Sequence, residues 1–83
     1  MKYLQWVKTL TCVECGTDQC IDAHHLIGHN RGGLKNPDEF AFPLCRQHHD
    51  RLHNLGYNYW EELNGSQWEF VARTLAMHVR EHG

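Results

Sequence analysis

Apolar side chains recur at helical spacing near both ends of the chain. At the start, the i, i+3, i+4, i+7 spacing of an amphipathic helix is met by Tyr3, Trp6, Val7 and Leu10. Near the end, the same periodicity predicts a helix with a buried stripe formed by Trp68, Val71, Ala72, Leu75 and Val79.

Capping residues divide the second half of the chain into two helices. An N-cap side chain followed three positions later by an acid is found at Asn58 with Glu61 and at Ser66 with Glu69. Between them Asn64-Gly65 is a typical helix end. The pattern therefore predicts a helical extension over residues 58–82, in which we expect Trp60 to be a core residue.

The centre of the chain predicts the order strand, loop, strand, helix. Residues 20–27 are typical of a strand, and residues 28–38 of a loop because they are dense in Gly, Asn and Pro. Residues 39–44 indicate a second strand, with Pro43 near its end because proline cannot donate to the ladder. A helix from Cys45 to about Leu55 then ends at Gly56. The predicted class is α+β: one domain over residues 1–83 with a strand–strand–helix core at about 20–55.

Size and cysteine content favour a metal-stabilised domain. The chain has 83 residues and four cysteines, and domains this small often need a metal or disulfides. The first residues lack the long apolar run of a signal peptide, so we expect a cytoplasmic, reducing location. There, Cys-x-x-Cys near histidines indicates a metal site before a disulfide. No segment is long enough to span a membrane.

Two short chelating pairs predict a structural zinc site. Zinc is commonly held in a tetrahedron by such pairs, and Cys12-x-x-Cys15 is the first of them. Cys45-x-x-His48 is the second, because residues i and i+3 point the same way at the start of a helix. Cys20 competes for a place, but a cysteine inside the predicted strand lacks chelating geometry and is interpreted as a small apolar core residue.

The remaining central histidines predict a second, open metal site. His49 and His53, at i and i+4, share one face of the predicted helix. His24 or His25 can supply a third ligand from the strand, and the other then lies on the opposite strand face. A free imidazole beside a metal ion is suited to act as the general base that activates water. Together they indicate a one-metal hydrolase.

In combination, these motifs resemble the small zinc-bearing HNH endonucleases of phages and prophages. These enzymes belong to the ββα-metal, or His-Me finger, superfamily. The resemblance covers nearly the whole chain and rests on Cys12-x-x-Cys15, on His24-His25-Leu-Ile with the Gly-rich loop from Gly28 to Gly33, and on Pro-Leu-Cys45-x-x-His48-His49-x3-His53. It implies a DNA endonuclease that hydrolyses phosphodiester bonds and contains structural Zn²⁺ and one divalent catalytic ion, Mg²⁺ or Mn²⁺.

The resemblance also implies a role for each histidine of the motif. His25 falls on the general base and His24 on a metal-ligand position. His49 falls on the ligand that closes the motif. His53 falls on a position that is a ligand in some members and something else in others.

The chain departs from the family pattern at one position. The central Asn of the motif is missing, because Phe40 stands in register with it. Asn36 is near but out of register, and Asp38 or a backbone group is a candidate replacement. In the loop, His29 and Arg31 are candidate phosphate contacts, with a solvated loop as an equal alternative.

The net charge of the chain limits how it can bind DNA. The net charge is −2, so this is no generic polycation, and binding would depend on local charge, on metal ions or on a targeting protein partner. This charge and the missing Asn favour an alternative function: a non-catalytic zinc module, derived from an HNH fold, that binds nucleic acid or protein.

Overall fold

The computed structural model describes residues 1–29 and 36–83. Within them the chain folds into a small α+β structure whose elements are α1 (Tyr3–Val7), β1 (Ile21–His25), a 3-10 turn (Asp38–Phe40), β2 (Ala41–Cys45), α2 (Arg46–Leu55), α3 (Tyr57–Asn64) and α4 (Gln67–His82). The predicted class and the order strand, strand, helix are confirmed. Across the described ranges, no helix is both long and apolar enough to cross a membrane.

The two strands form an antiparallel hairpin that sets the positions of the paired histidines. In its register His24 lies opposite Phe42, and His25 lies opposite Ala41. Because successive strand residues face opposite sides of a sheet, His24 is buried, with 1% of its surface exposed, while His25 faces the other side. β2 passes directly into α2 at Cys45, so α2 begins at the end of the hairpin.

Aromatic side chains form the centre of the core. Phe42 of β2, Trp60 of α3 and Phe70 of α4 pack with ring centroids 5.6–6.2 Å apart, within the range typical of favourable aromatic pairs. Leu52 of α2 is fully buried beside them. The core therefore joins the hairpin to α2, α3 and α4, and the prediction that Trp60 is a core residue is confirmed.

The buried face of α4 differs from the predicted stripe. Trp68 is 43% exposed, Val79 is 65% exposed and Ala72 is also exposed, so the prediction is wrong for these three residues. The helix instead buries Gln67, Phe70, Val71 and Thr74. The stripe is displaced because a polar residue, Gln67, occupies an apolar position in the first turn. The predicted cap is confirmed, since the Ser66 hydroxyl accepts a hydrogen bond from the backbone N–H of Trp68 at 3.2 Å.

Three local predictions about the backbone are wrong. Pro43 lies in the middle of β2 rather than near its end.

The other two wrong predictions concern Cys20 and Asn58. Cys20 is exposed rather than buried and precedes β1, with φ of 53°, and a residue in this left-handed conformation does not continue a strand. Its carbonyl accepts a hydrogen bond from the backbone N–H of Arg46 at 2.9 Å. Asn58 does not cap α3, because the helix begins one residue earlier, at Tyr57, after Gly56 with φ of 86°.

Candidate metal centres

The first cluster of candidate ligands joins the N-terminal knuckle to the start of α2. One ligand atom from each member lies within 4.8 Å of the others in the group Cys12, Cys15, Cys45 and His48. Gly16, with φ of 78°, closes the knuckle by donating its backbone N–H to the Cys12 carbonyl at 2.8 Å. The four residues predicted for the structural site are thus brought together.

The spacing of these atoms fits a tetrahedral zinc ion. Ligand bonds of about 2.0–2.3 Å in a tetrahedron separate neighbouring ligand atoms by roughly 3.4–3.8 Å. The sulfur atoms of Cys15 and Cys45 are 3.9 Å apart. His48 Nδ1 lies 3.8 Å from the sulfur of Cys12 and 3.2 Å from that of Cys45. The donor set and its dimensions are therefore compatible with structural zinc.

The thiols of this cluster differ in acidity. Burial raises the pKa of Cys12, but hydrogen bonds from the backbone of Cys45, Cys15 and Glu14 and from the His48 side chain outweigh it and lower that pKa to about 7. Burial raises the pKa of Cys45. Zinc binds thiolates and releases their protons, so the lowered pKa of Cys12 favours the form of this side chain that binds zinc.

The second cluster lies between β1 and α2. The group His24, His49 and His53 offers ligand atoms that all lie within 4.8 Å of one another. The ring centroid of His24 is 4.9 Å from that of His49 and 5.5 Å from that of His53. Of the two strand histidines, it is His24 that faces α2. Three imidazoles at these distances can hold one divalent ion.

His24 is the buried member of this cluster and is neutral. Burial, opposed by the hydrogen bond to Gln67, lowers its pKa to about 4. A neutral imidazole has one nitrogen lone pair that can bind a metal, so His24 can act as a metal ligand near neutral pH. His24 Nε2 lies 3.0 Å from Oε1 of Gln67, and its ring packs edge-on against Phe42.

A carboxylate orients the second histidine of the cluster. His49 Nδ1 lies 3.1 Å from Asp22 Oδ2, and Arg46 donates to both oxygens of the same carboxylate at 2.9 and 3.2 Å. Hydrogen bonding by Arg46, together with that of His49, lowers the pKa of Asp22. The Nδ1–H of His49 donates a hydrogen bond to the ionised carboxylate, which leaves the Nε2 lone pair of His49 for the metal. Carboxylates commonly hold metal-bound histidines in this way.

His25, the predicted general base, lies outside both clusters. Its Nε2 is 2.9 Å from Oδ1 of Asp38, and 23% of its side chain is exposed. A carboxylate only accepts hydrogen bonds, so Nε2 carries the proton and the lone pair is on Nδ1. Asp38, named above as a candidate replacement for the missing Asn, thus contacts the histidine adjacent to the cluster.

The other residues near the missing Asn brace the turn. Asn36 donates its side-chain amide to the Leu26 carbonyl at 2.7 Å. Phe40, which stands in register with the family's Asn, accepts the Leu26 backbone N–H at 3.0 Å through its carbonyl. The connection from β1 to β2 is therefore closed by hydrogen bonds at the position where the motif lacks its Asn.

Of the two candidate phosphate contacts, the structure describes His29, which belongs to neither cluster. His29 is exposed, lies 3.1 Å from a carboxylate oxygen of Glu61, and packs edge-on against Tyr57. Arg31 lies outside the described residues.

Gln67, which contacts the second cluster through His24, is not predicted from the sequence. It lies in α4, 43 positions from the histidine that it contacts. The only local signal is its phase, because Gln67 lies three and four positions before the buried Phe70 and Val71. A polar residue on the apolar face of a helix requires a partner.

Comparison with known proteins places the chain in a family. The uncharacterized protein YdfU of Escherichia coli (strain K12) is 46% identical over 84 residues, which cover 94% of this chain and 24% of YdfU. This chain thus corresponds to about a quarter of the length of that relative. No solved structure matches it. The family described as "Protein of unknown function (DUF968)" matches residues 1–81, and the chain therefore belongs to the DUF968 family.

Proposed function

We propose that the chain is a metal-dependent DNA endonuclease with an HNH, or ββα-metal, active site. The proposal rests on the different surroundings of the two adjacent histidines of β1. His24 joins the three-histidine cluster, whereas His25, the next residue, lies outside it, with Nε2 bonded to Asp38 and the lone pair on Nδ1. A site built only to bind an ion does not need a base beside it, whereas a hydrolase does.

The proposed roles follow from the hydrogen bonds of each side chain. A divalent ion held by His24, His49 and His53 would stabilise the charge that develops on the phosphate. His25 Nδ1 accepts the proton of the attacking water. Asp38 holds His25 through Nε2–H and stabilises the imidazolium that forms, as a carboxylate does for a catalytic histidine elsewhere.

The zinc cluster would position these groups without taking part in the chemistry. It joins the knuckle at Cys12 and Cys15 to the first turn of α2 through Cys45 and His48. A zinc ion bound by four protein ligands has no open coordination position for substrate. Its contribution is to fix the start of α2 against the hairpin, which sets His49 and His53 opposite β1.

Plasmid cleavage tests the proposed reaction. Supercoiled plasmid is incubated with zinc-loaded protein and Mg²⁺ or Mn²⁺, and nicked and linear products are measured. We expect His25→Ala to lower the rate by about 10²–10⁴-fold, the usual contribution of a general base. His82→Ala is the matched control, because His82 packs against Trp6 instead of the clusters. Equal cleavage by His25→Ala at equal zinc content would refute the assigned mechanism.

The net charge of −2 favours one other candidate, a non-catalytic zinc module that binds nucleic acid or protein. Metal analysis separates the two functions. The nuclease requires one tightly bound ion and a second, weaker, exchangeable one. A protein that binds only one ion, and whose stability is unchanged by Mn²⁺, would support the binding module.

A further inference from the structure

Gln67 is a fully buried amide whose orientation is fixed by the backbone. Its Oε1 accepts the backbone N–H of Ile27 at 3.2 Å, and its Nε2 donates to the carbonyl of the same residue at 2.9 Å. Exchanging the two ends of the amide would set a donor against the N–H and an acceptor against the carbonyl. Because the Gln67 side chain is fully buried, that arrangement is strongly disfavoured. The atom of Gln67 that faces His24 is therefore the oxygen.

This orientation determines which nitrogen of His24 carries the hydrogen. The amide oxygen only accepts, so His24 Nε2, 3.0 Å away, must donate. A neutral imidazole has a single N–H, and the lone pair is left on Nδ1. His49 has the opposite arrangement, because its Nδ1 faces the Asp22 carboxylate.

We propose that Gln67 is a positioning residue that holds His24 in the Nε2–H tautomer, so that His24 binds the ion of the second cluster through Nδ1. The inference deepens the proposed function and rests on its metal centre, but not on cleavage. It makes α4, an element outside the strand–strand–helix unit, part of the metal site. Gln67 is also tied to α3, since its backbone N–H donates to Glu61 at 2.8 Å.

Two substitutions separate this role from simple packing. Gln67→Met fills a similar volume but offers only a weak thioether acceptor, so it no longer fixes the tautomer of His24. Gln67→Glu keeps an acceptor for His24 and loses the donor to the Ile27 carbonyl. Positioning predicts that Gln67→Glu retains metal affinity while Gln67→Met loses it. Packing alone predicts the reverse, since the buried carboxylate is the more disruptive change.

The measurement is Mn²⁺ binding by calorimetry to protein that contains one equivalent of zinc. We expect Gln67→Met to weaken binding by about 10–100-fold, the usual effect of removing the partner of a metal-bound histidine. The matched control is Thr74→Val, on the same buried face of α4, which removes a hydrogen bond to the Phe70 carbonyl without contacting His24. Equal affinity for Gln67→Met and the parent would overturn the proposal.

A second readout does not require the weaker ion at all. Long-range ¹H–¹⁵N spectra of the zinc-loaded parent report the tautomer of His24 directly. We expect Nε2–H in the parent and a mixture in Gln67→Met; an Nδ1–H tautomer in the parent would overturn the inference even if the variants fail to fold. A parent that shows Nε2–H but binds no Mn²⁺ would leave the tautomer assignment supported and defeat the proposed function instead.

Discussion

The burial of His24 predicts a specific loss of stability in mild acid. Its pKa is about 4 in the folded protein and 6.5 ordinarily. The unfolded chain therefore binds the proton more tightly, and protonation favours unfolding. The contribution of His24 is complete above pH 6.5 and declines as the pH falls from 6.5 toward 4.

The size of the effect follows from the two pKa values. The full shift corresponds to about 3 kcal/mol, and between pH 7.5 and pH 5.5 the linkage relation gives a loss of about 1.4 kcal/mol in the free energy of unfolding. His24→Phe removes the titrating group and keeps an aromatic ring against Phe42. We expect this variant to be less stable at pH 7.5 but to lack that part of the pH dependence.

The assay is urea unfolding of both proteins at pH 7.5 and pH 5.5, each with one equivalent of zinc. Protonation of the zinc thiolates affects both proteins equally, so it cancels in the difference between the two pH dependences. A difference of about 1.4 kcal/mol is expected. If the parent and His24→Phe lose the same stability within about 0.3 kcal/mol, the burial of a neutral His24 is refuted.

Three further changes test other parts of the structure. Removing zinc with a strong chelator, or substituting Cys45→Ser, is expected to abolish the cooperative thermal transition followed by circular dichroism, because metal binding and folding of so small a domain are coupled; an unchanged transition would show that zinc is not structural. Gly28→Ala is expected to destabilise by about 1–3 kcal/mol in urea unfolding, since a Cβ there meets the Tyr57 ring and φ is +85°; a neutral result would contradict this packing. Trp60→Ala is expected to cost about 3–5 kcal/mol and Trp68→Ala about 1 kcal/mol or less, and similar losses would contradict their different burial.

Short-range periodicity is sufficient to divide the ligands of α2 between the two clusters. The direction of a side chain on a helix or strand depends only on sequence spacing, so Cys45 and His48 could be separated from His49 and His53. The same reasoning placed the two histidines of β1 on opposite faces. It left open which of them joins the cluster, and the hairpin register answers this by pairing His24 with the buried Phe42.

Long-range contacts account for what the sequence did not reveal. The phase of α4 depends on Gln67, whose partners His24 and Ile27 lie 43 and 40 positions away. No local pattern distinguishes a glutamine that bonds to such partners from one that faces solvent. The prediction for Cys20 is wrong for a different reason. Its left-handed backbone conformation depends on how the knuckle joins β1 and not on the residue type.

The connection between the strands is fastened at both of its ends. On one side His29 contacts Glu61, and on the other Asn36 donates to the Leu26 carbonyl. The positions of the histidine clusters therefore do not depend on how many residues separate His29 from Asn36. Closing a longer segment costs little, about 0.6 kcal/mol for each doubling of its length. A change in the length of this segment is therefore expected to leave the metal-binding residues in place.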